Sequence, residues 1–298
     1  MESPTSLRFF VIAAGHCTHS EHMVLAGGRR GPICFPSLVG VMVHPKHGVA
    51  LFDAGYARRF LTRCDNFPYS LYARVTPVTL RPEQTAVAQL QALGIHAAEV
   101  KTIFISHFHA DHIAGIADFP HARVVCARAG YESIRGKRGF RALAKAFLPD
   151  LLPKDLEARA SYVEDFSERA LPDALLPFQR AHDPFGDGSV LVVPLPGHAD
   201  GHVGLFLPGL AQPTFLVGDA CWLAKSFRDN IQPHPIATLL FSDRHAYRQT
   251  LGRLHTLHGR QSGVRIIPSH CLATFEALPE AVRPLQSAPF DQRAEQTR

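Results

Sequence analysis

A run of histidines and one aspartate in the first half of the chain has the residue types and spacing of a metal-binding motif. His107, His109, Asp111 and His112 fall within six positions of the stretch 106–115. Imidazole and carboxylate groups are ligands that zinc, iron, manganese and cobalt accept. Because side chains two positions apart in a strand or tight loop can share a direction, we expect His107 and His109 to hold one divalent ion. Asp111 and His112 then face a second ion.

The segments that must position this motif are apolar runs that predict strands. The motif follows residues 100–105, which are rich in β-branched side chains and predict a buried strand. Further potential ligands follow similar runs at residues 189–193, 214–217 and 264–268, and these are His198, Asp219 and His270. Each of them ends a predicted strand, so all of them can meet at one edge of a sheet.

The order of these motifs resembles that of the metallo-β-lactamase-fold hydrolases. His-x-His-x-Asp-His is followed by Pro-Gly-His-x-x-Gly-His, by Gly-Asp and by a late Ser-His, and the resemblance runs from about Gly40 to His270. It implies an α/β fold, an αββα sandwich of two mixed β-sheets flanked by helices. It also implies two divalent metal ions, with zinc preferred and iron, manganese or cobalt as alternatives. The implied ligands are His107, His109, Asp111, His112, His198, Asp219 and His270.

The resemblance also divides these ligands between the two ions. His198 completes the set of the first ion, His270 completes that of the second, and Asp219 bridges both with one oxygen each. Cys221 and Cys271 lie beside two of these ligands and could bind zinc as thiolates. The Gly-Asp pair at a strand end favours Asp219 over the cysteines.

Two further residues are predicted to support the site without binding metal. A hairpin predicted around residues 44–48 leads to Asp53, which resembles the family's aspartate that accepts the ring N–H of a metal-bound histidine. The alternative for Asp53 is an ordinary turn residue. His202 is predicted to lie outside the ligand set, because a fourth imidazole on the first ion would leave no open position for water.

These residues predict a metal-dependent hydrolase. Two ions sharing a bound water lower the pKa of that water, so the bridging hydroxide is available to attack a lactone or ester carbonyl at neutral pH. Asp111 is the predicted catalytic residue, accepting the proton and passing it to the leaving group. The motif and its flanks are most similar to the N-acyl-homoserine lactonase branch. That branch has a tyrosine three residues after the bridging aspartate, where this chain has Trp222.

Other functions use the same ligand set. Glyoxalase II-like thioesterases and phosphodiesterases are the enzymatic alternatives, and a binding protein that keeps its metals without turnover is the non-enzymatic one. Phe108, Trp222 and Arg228 are candidates to line the substrate pocket. The segment 128–181 is predicted to be a helical insertion, which is either a lid over the pocket or a packed helical pair.

Length, composition and charge indicate the number of domains, the kind of partner and the cellular compartment. The 298 residues are 46% hydrophobic, which predicts one domain over 1–298. The net charge is +5 with a pI near 9.0, but the basic residues are scattered, so we expect a small-molecule substrate and no nucleic-acid partner. Met1–Pro4 lacks a basic leader, no segment reaches transmembrane length, and the six cysteines form no framework. These features predict a cytoplasmic protein without membrane contact, and they leave a homodimer open.

One histidine-rich stretch stands apart from this motif. Residues 15–22 carry three histidines spaced by three and a cysteine, Gly-His-Cys-Thr-His-Ser-Glu-His. One helical turn would align the histidines as an accessory metal site. The glycine, serine and threonine favour a polar loop instead.

Overall fold

Two β-sheets form the centre of the chain. The computed structural model describes residues 7–284, so the Met1–Pro4 stretch used for the compartment prediction lies outside the described residues. The first sheet has seven strands in the order β4-β1-β2-β3-β5-β6-β7 and the second has six in the order β13-β12-β11-β10-β9-β8. The strands are β1 (Arg8–Ser20), β2 (Pro32–His44), β3 (Gly48–Phe52), β4 (Val78–Thr79), β5 (Val100–Phe104), β6 (Arg123–Cys126), β7 (Ala160–Tyr162), β8 (Glu168–Ala170), β9 (Arg180–His182), β10 (Leu191–Pro194), β11 (Val203–Leu207), β12 (Thr214–Gly218) and β13 (Arg265–Pro268).

Helices cover the outer faces of both sheets. They are α1 (Glu21–Val24), α2 (Arg58–Arg63), α3 (Ser70–Val75), α4 (Ala86–Ala92), α5 (Ala110–Ile113), α6 (Arg128–Ile134), α7 (Phe140–Leu143), α8 (Leu156–Arg159), α9 (Ala224–Asp229), α10 (Arg244–Gly259) and α11 (Leu272–Glu276). None within residues 7–284 combines the length and apolarity that a bilayer crossing needs.

Alternating side chains place the hydrophobic core in three layers. Along β1, Phe10 and Ile12 pack against helices α2 and α4, while Phe9 and Val11 point between the two sheets. A third cluster joins the outer face of β10 to β12 with α9 and α10. Both sheets contain parallel and antiparallel pairs. The predicted αββα sandwich of two mixed sheets is therefore confirmed.

The strand ends that carry the polar motifs meet at one edge of the sandwich. In the first sheet β3 and β5 are parallel neighbours, so Asp53 and the motif that begins at Ser106 leave the sheet side by side. In the second sheet β12 and β13 are parallel, which brings Asp219 and His270 to adjacent positions. The predicted placement of the ligands at strand ends follows from this pairing.

Two segments differ from the sequence prediction. The segment 128–181 is helical only in its first part, because β7 joins the edge of the first sheet and β8 pairs with β9 in the second. These strands have three residues each and little β propensity, so they are stabilised by pairing with existing sheet edges rather than by their own sequence. Residues 15–20 are not a loop, because β1 continues to Ser20 and pairs with β2.

Gly197 allows the chain to pass close to α10 just before His198. We therefore expect a larger residue at this position to destabilise the protein. Its φ is +130°, and a Cβ there would lie 2.1 Å from the backbone nitrogen of Tyr247. We expect Gly197→Ala to lower the free energy of unfolding by about 3 kcal/mol. The measurement is chemical denaturation.

Gly186 provides the matched control for this prediction. Its φ is also positive, at +74°, but a Cβ there would meet nothing within 4 Å. Gly186→Ala should therefore cost about 1 kcal/mol, from backbone strain alone. Equal losses for the two variants would show that the close approach to α10 is not the cause.

Candidate metal centre

The structure brings the seven predicted ligands together in two clusters that share Asp219. In the first cluster, one ligand atom from each of His107, His109, His198 and Asp219 lies within 4.8 Å of the others. Asp111, His112 and His270 form the second cluster under the same limit. Asp219 Oδ2 lies 3.2 Å from His198 Nε2, and Asp219 Oδ1 lies 3.1 Å from His270 Nε2. The two oxygens of one carboxylate thus face different clusters.

Outer hydrogen bonds fix the ring orientation of several of these histidines. His112 Nδ1 lies 2.7 Å from Asp53 Oδ2, His270 Nδ1 lies 2.8 Å from the carbonyl oxygen of Pro36, and His107 Nδ1 lies 3.0 Å from Ser106 Oγ. A ring nitrogen that donates its proton outward leaves a lone pair on the nitrogen that faces the cluster. The predicted role of Asp53 agrees with this geometry.

The buried atoms that face the clusters fit divalent cations. His107 Nε2, His112 Nε2 and Asp219 Oδ1 are buried without a hydrogen bond of acceptable geometry among residues 7–284. Nitrogens of His198 and His109 face each other at 3.1 Å. Leaving such atoms unpaired costs about 1–3 kcal/mol each, and bound cations would remove that cost. Imidazole and carboxylate are the ligands that zinc and similar ions bind.

The two clusters differ in their electrostatics. Burial lowers the pKa values of His107 and His109 well below the usual value, and neighbouring imidazoles add to this effect. The lone pairs of the first cluster are therefore available at neutral pH. In the second cluster burial opposes protonation, but Asp219 and Asp111 raise the pKa of His270 to about 10. Burial also opposes protonation of His112, but the charges of Asp111 and Asp53 outweigh it and raise the pKa of His112 well above its usual value.

Metal binding at the second cluster should therefore release protons. Because the pKa of His270 is raised to about 10, the metal-free protein keeps this imidazole charged at neutral pH, and a cation must displace the proton. We expect the apparent zinc affinity to rise with pH, by up to about tenfold per unit for each proton displaced. Titration calorimetry in buffers of different ionisation enthalpy measures the release.

The stability of the metal-free protein should have the opposite pH dependence. A pKa raised from 6.5 to about 10 contributes stability that is fully present below pH 6.5 and is lost as the pH rises through 10. His270→Gln removes this titration and serves as the control for both measurements. A zinc affinity independent of pH would contradict the charged state of the second cluster.

His202 lies beside the first cluster, but its nitrogens are occupied. Its Nδ1 lies 3.0 Å from the carbonyl oxygen of Leu195, and its Nε2 accepts a hydrogen bond from the backbone N–H of Asp219 at 3.0 Å. The side chain therefore holds the end of β12 in place. Its position agrees with the prediction that His202 supports the site without binding metal.

A cavity of about 750 Å³ opens over the clusters. Asp111, Asp219, His109, His198 and His270 form its floor. Its walls are mainly apolar, and several of them come from α3, α7, the residues around α1 and the residues just before α10. Examples of these wall residues are Val24, Phe35, Leu71, Val75, Leu143, Leu240 and Phe241.

Of the three predicted pocket residues, the structure places only Trp222 at this cavity. Its Nε1 donates a hydrogen bond to Asp219 Oδ2 at 2.9 Å. Phe108 is not among the residues that line this cavity, since it is 4% exposed and packs against Tyr131 in the core. Its side chain alternates with those of His107 and His109 and so points away from the site. Arg228 lies on the exposed face of α9, outside the lining of this cavity.

Several residues that support the site were missed by the sequence prediction. Ser106 donates from its backbone N–H and its hydroxyl to Asp53, at 2.8 and 2.9 Å. Ser37 donates to the carbonyl oxygen of Asp111 at 2.9 Å, and Phe35 stacks on His270 with ring centroids 4.8 Å apart. Ser106 begins the motif and could have been noticed. Phe35 and Ser37 come from β2, whose sequence carries no polar pattern that would point to the site.

A third group of potential ligands, His44, His47 and Asp187, lies away from the cavity. His44 Nδ1 accepts hydrogen bonds from the backbone N–H groups of Lys46 and His47, each at 3.1 Å. The proton of this buried ring must therefore sit on Nε2, which lies 3.1 Å from Asp187. A protonated Nε2 has no lone pair for a metal, so this group stabilises the β2–β3 turn.

Known proteins are similar to this chain along most of its length. N-acyl homoserine lactonase AttM of Azorhizobium caulinodans is 28% identical over 275 residues, which cover 89% of this chain and 94% of that protein. A solved N-acyl homoserine lactone hydrolase, with N-hexanoyl-L-homoserine bound at its catalytic metal centre, is 18% identical with a TM-score of 0.66. The match covers 95% of this chain and 99% of that one.

A second solved structure extends the likeness of fold. AidC, a dizinc quorum-quenching lactonase in complex with its product, is 16% identical with a TM-score of 0.60, over 91% of this chain and 89% of that one. The family model of the metallo-beta-lactamase superfamily matches residues 33–260. That range contains both sheets' central strands and every predicted metal ligand except His270. The chain therefore belongs to the metallo-beta-lactamase superfamily.

Proposed function

We propose that this chain is a metal-dependent hydrolase that opens the ring of an N-acyl homoserine lactone or a similar acylated lactone. The observation that carries the proposal is the pair of ligand clusters joined by Asp219 on the floor of a cavity with mainly apolar walls. The similarity to lactonase AttM over 89% of the chain supports the choice of a lactone. An apolar cavity of about 750 Å³ suits an acyl chain.

The seven residues of the two clusters would hold two divalent ions. Zinc fits the imidazole and carboxylate donors, and iron, manganese or cobalt would fit the same set. Bound there, the ions supply an activated water nucleophile at neutral pH and polarise the substrate carbonyl. Asp219 fixes the spacing of the ligands by presenting one oxygen to each cluster, and Asp53 and Ser106 hold the first-sheet ligands in place.

Asp111 is the residue that we assign to proton transfer. Its Oδ2 lies 3.2 Å from His270 Nε2, and its side chain is 12% exposed, compared with 3% for Asp219. Burial opposes ionisation, but His112 and His270 hold the pKa of the Asp111 carboxyl well below its usual range. Asp111 is therefore a carboxylate at neutral pH, and it can accept the proton of the attacking water and deliver it to the leaving oxygen.

The charge of the cavity favours a carbonyl substrate over a phosphodiester. Arg74 is the one Lys or Arg side chain among its lining residues, so apart from the proposed metal ions the cavity offers a phosphodiester a single cationic side chain. A thioester remains the enzymatic alternative, since the same donors would serve it. Leu143 and Ala146 from the segment 128–181 line the cavity, so we assign that segment the role of a lid within one domain.

The state of the cysteines supports a cytoplasmic location. None of the six cysteines, Cys17, Cys34, Cys64, Cys126, Cys221 and Cys271, forms a disulfide bond in the described part of the chain. Free thiols are typical of the reducing cytoplasm, and we place the protein there with a small-molecule substrate.

A three-substrate assay tests the proposed function. The purified metal-loaded protein is given acyl homoserine lactones, acyl thioesters and bis(p-nitrophenyl) phosphate, each with and without chelator. We expect chelator-sensitive hydrolysis of the lactones at the highest kcat/KM. Faster thioester or phosphodiester hydrolysis would replace the lactone assignment. Lack of turnover with every substrate by protein that retains its metals would favour the binding protein.

A further inference from the structure

A hydrogen-bond donor near the carbonyl oxygen would add to the polarisation that the metal ions supply, and most polar side chains of the cavity are already engaged. The indole Nε1 of Trp222 donates to Asp219 Oδ2 at 2.9 Å. Ser20 Oγ lies 2.8 Å from His22 Nδ1. Cys17 is 2% exposed, and burial raises the pKa of its thiol far above its usual range. The indole and the serine hydroxyl would have to break an existing contact to reach the substrate, and the thiol is buried.

Tyr72 offers a hydroxyl that is not engaged in this way. It lies on α3 and lines the cavity together with Asp111 and Asp219. Its hydroxyl makes no hydrogen bond to any residue in the range 7–284. The ring packs edge-on against Phe60, with centroids 5.7 Å apart, which fixes the side chain on the cavity wall.

The surroundings of Tyr72 keep its proton in place. Burial raises the pKa of the Tyr72 phenol well above its usual value, and the charge of Asp111 adds to this effect. Asp219 acts in the same direction. A phenol with such a pKa stays a neutral donor across the physiological range, and it is attracted to negative charge that develops nearby.

We propose that the Tyr72 hydroxyl donates a hydrogen bond to the carbonyl oxygen of the substrate as that oxygen gains charge during hydrolysis. The inference rests on the proposed function, because it assumes a carbonyl substrate over the two clusters. A donor that acts mainly on the charged oxygen stabilises the transition state more than the bound substrate. Tyr72 is thus a further catalytic residue, supplied by a helix outside the metal-binding motifs.

The test compares Tyr72→Phe with Tyr69→Phe. Tyr69 directly precedes α3, and its hydroxyl accepts a hydrogen bond from the backbone N–H of Gly139 at 2.9 Å, outside the cavity lining. We expect Tyr72→Phe to lower kcat/KM by about 10²-fold, the effect of removing one oxyanion donor. Tyr69→Phe should stay within about twofold. The loss should be similar for a lactone and for a p-nitrophenyl ester, because both substrates develop charge on the carbonyl oxygen.

Two further measurements separate this role from a structural one. Metal content and thermal unfolding of Tyr72→Phe should match the unsubstituted protein, and its affinity for a non-hydrolysable lactam should change less than kcat. Fluorotyrosine placed at position 72 makes the hydroxyl more acidic without a large change of shape, so the rate should rise rather than fall. This second variant tests the hydrogen bond even if the phenylalanine variant folds poorly.

The outcomes distinguish the inference from the proposed function. If the unsubstituted protein hydrolyses the lactone and Tyr72→Phe does so within about twofold, the inference is overturned while the proposed function stands. His19→Asn removes another donor of the cavity lining. If this variant lost activity while Tyr72→Phe did not, His19 would be the donor and the inference about Tyr72 would be overturned. If the unsubstituted protein hydrolyses no carbonyl substrate, both fall together.

Discussion

Replacing Asp219 by alanine is expected to lower kcat/KM for lactone hydrolysis by at least about 10³-fold. Asp219 is 2% exposed and directly follows β12. Its two oxygens lie 3.2 Å from His198 Nε2 and 3.1 Å from His270 Nε2, so its removal takes one ligand from each cluster. We also expect the metal content to fall from two ions per chain to at most one, measured by elemental analysis.

A matched carboxylate and a conservative substitution serve as controls for Asp219. Asp229 ends α9 on the surface, and Asp229→Ala should leave both rate and metal content unchanged. Asp219→Asn keeps the shape but presents one oxygen and one N–H, so it should retain at most one strongly bound ion. If Asp219→Ala kept two ions and full activity, the two clusters would not form a shared centre.

The positions of the candidate ligands could be predicted because their local signals are strong. His107 and His198 each follow an apolar run that the structure shows as a strand, β5 or β10. Parallel strands must end at the same edge of a sheet, so residues far apart in the sequence can be placed together without knowing the full topology. The supporting role predicted for Asp53 came from the family resemblance, and the parallel pairing of β3 with β5 explains why Asp53 lies beside the motif.

The cavity walls could not be predicted, because they depend on packing between distant segments. Phe108 sits between two ligands in the sequence, yet the alternation of side chains turns it toward Tyr131 in the core. Tyr72 lies on a six-residue helix with no polar motif. Its approach to Asp111 follows from the packing of α3 against the cavity, which no local pattern encodes.

Trp222 has one feature that the sequence predicts and another that depends on packing. Its place three residues after Asp219 was evident from the sequence, and the prediction that it lies at the pocket agrees with the structure. The direction of its N–H depends on the rotamer, which is set by Phe35 and Phe241 around the indole. The hydrogen bond to Asp219 therefore emerged only with the packed structure.

Replacing Asp111 by asparagine is expected to lower kcat for lactone hydrolysis by about 10³-fold, with a smaller change in KM. Asparagine keeps the volume of the side chain and one oxygen that can face His270, from which Asp111 Oδ2 lies 3.2 Å. It loses the negative charge and cannot accept a proton. Steady-state kinetics at saturating zinc measure the effect, so that weaker metal binding does not account for it.

The leaving group separates proton delivery by Asp111 from metal binding. A lactone expels an alkoxide, which needs a proton as the ring opens, whereas p-nitrophenolate leaves without one. Asp111→Asn should therefore slow a lactone much more than a p-nitrophenyl ester. His270→Gln removes a neighbouring ligand but no carboxylate, so it should slow both substrates by similar factors. Equal losses for both substrates in Asp111→Asn as well would mean that Asp111 acts only as a metal ligand, and the proton would then have to come from another group.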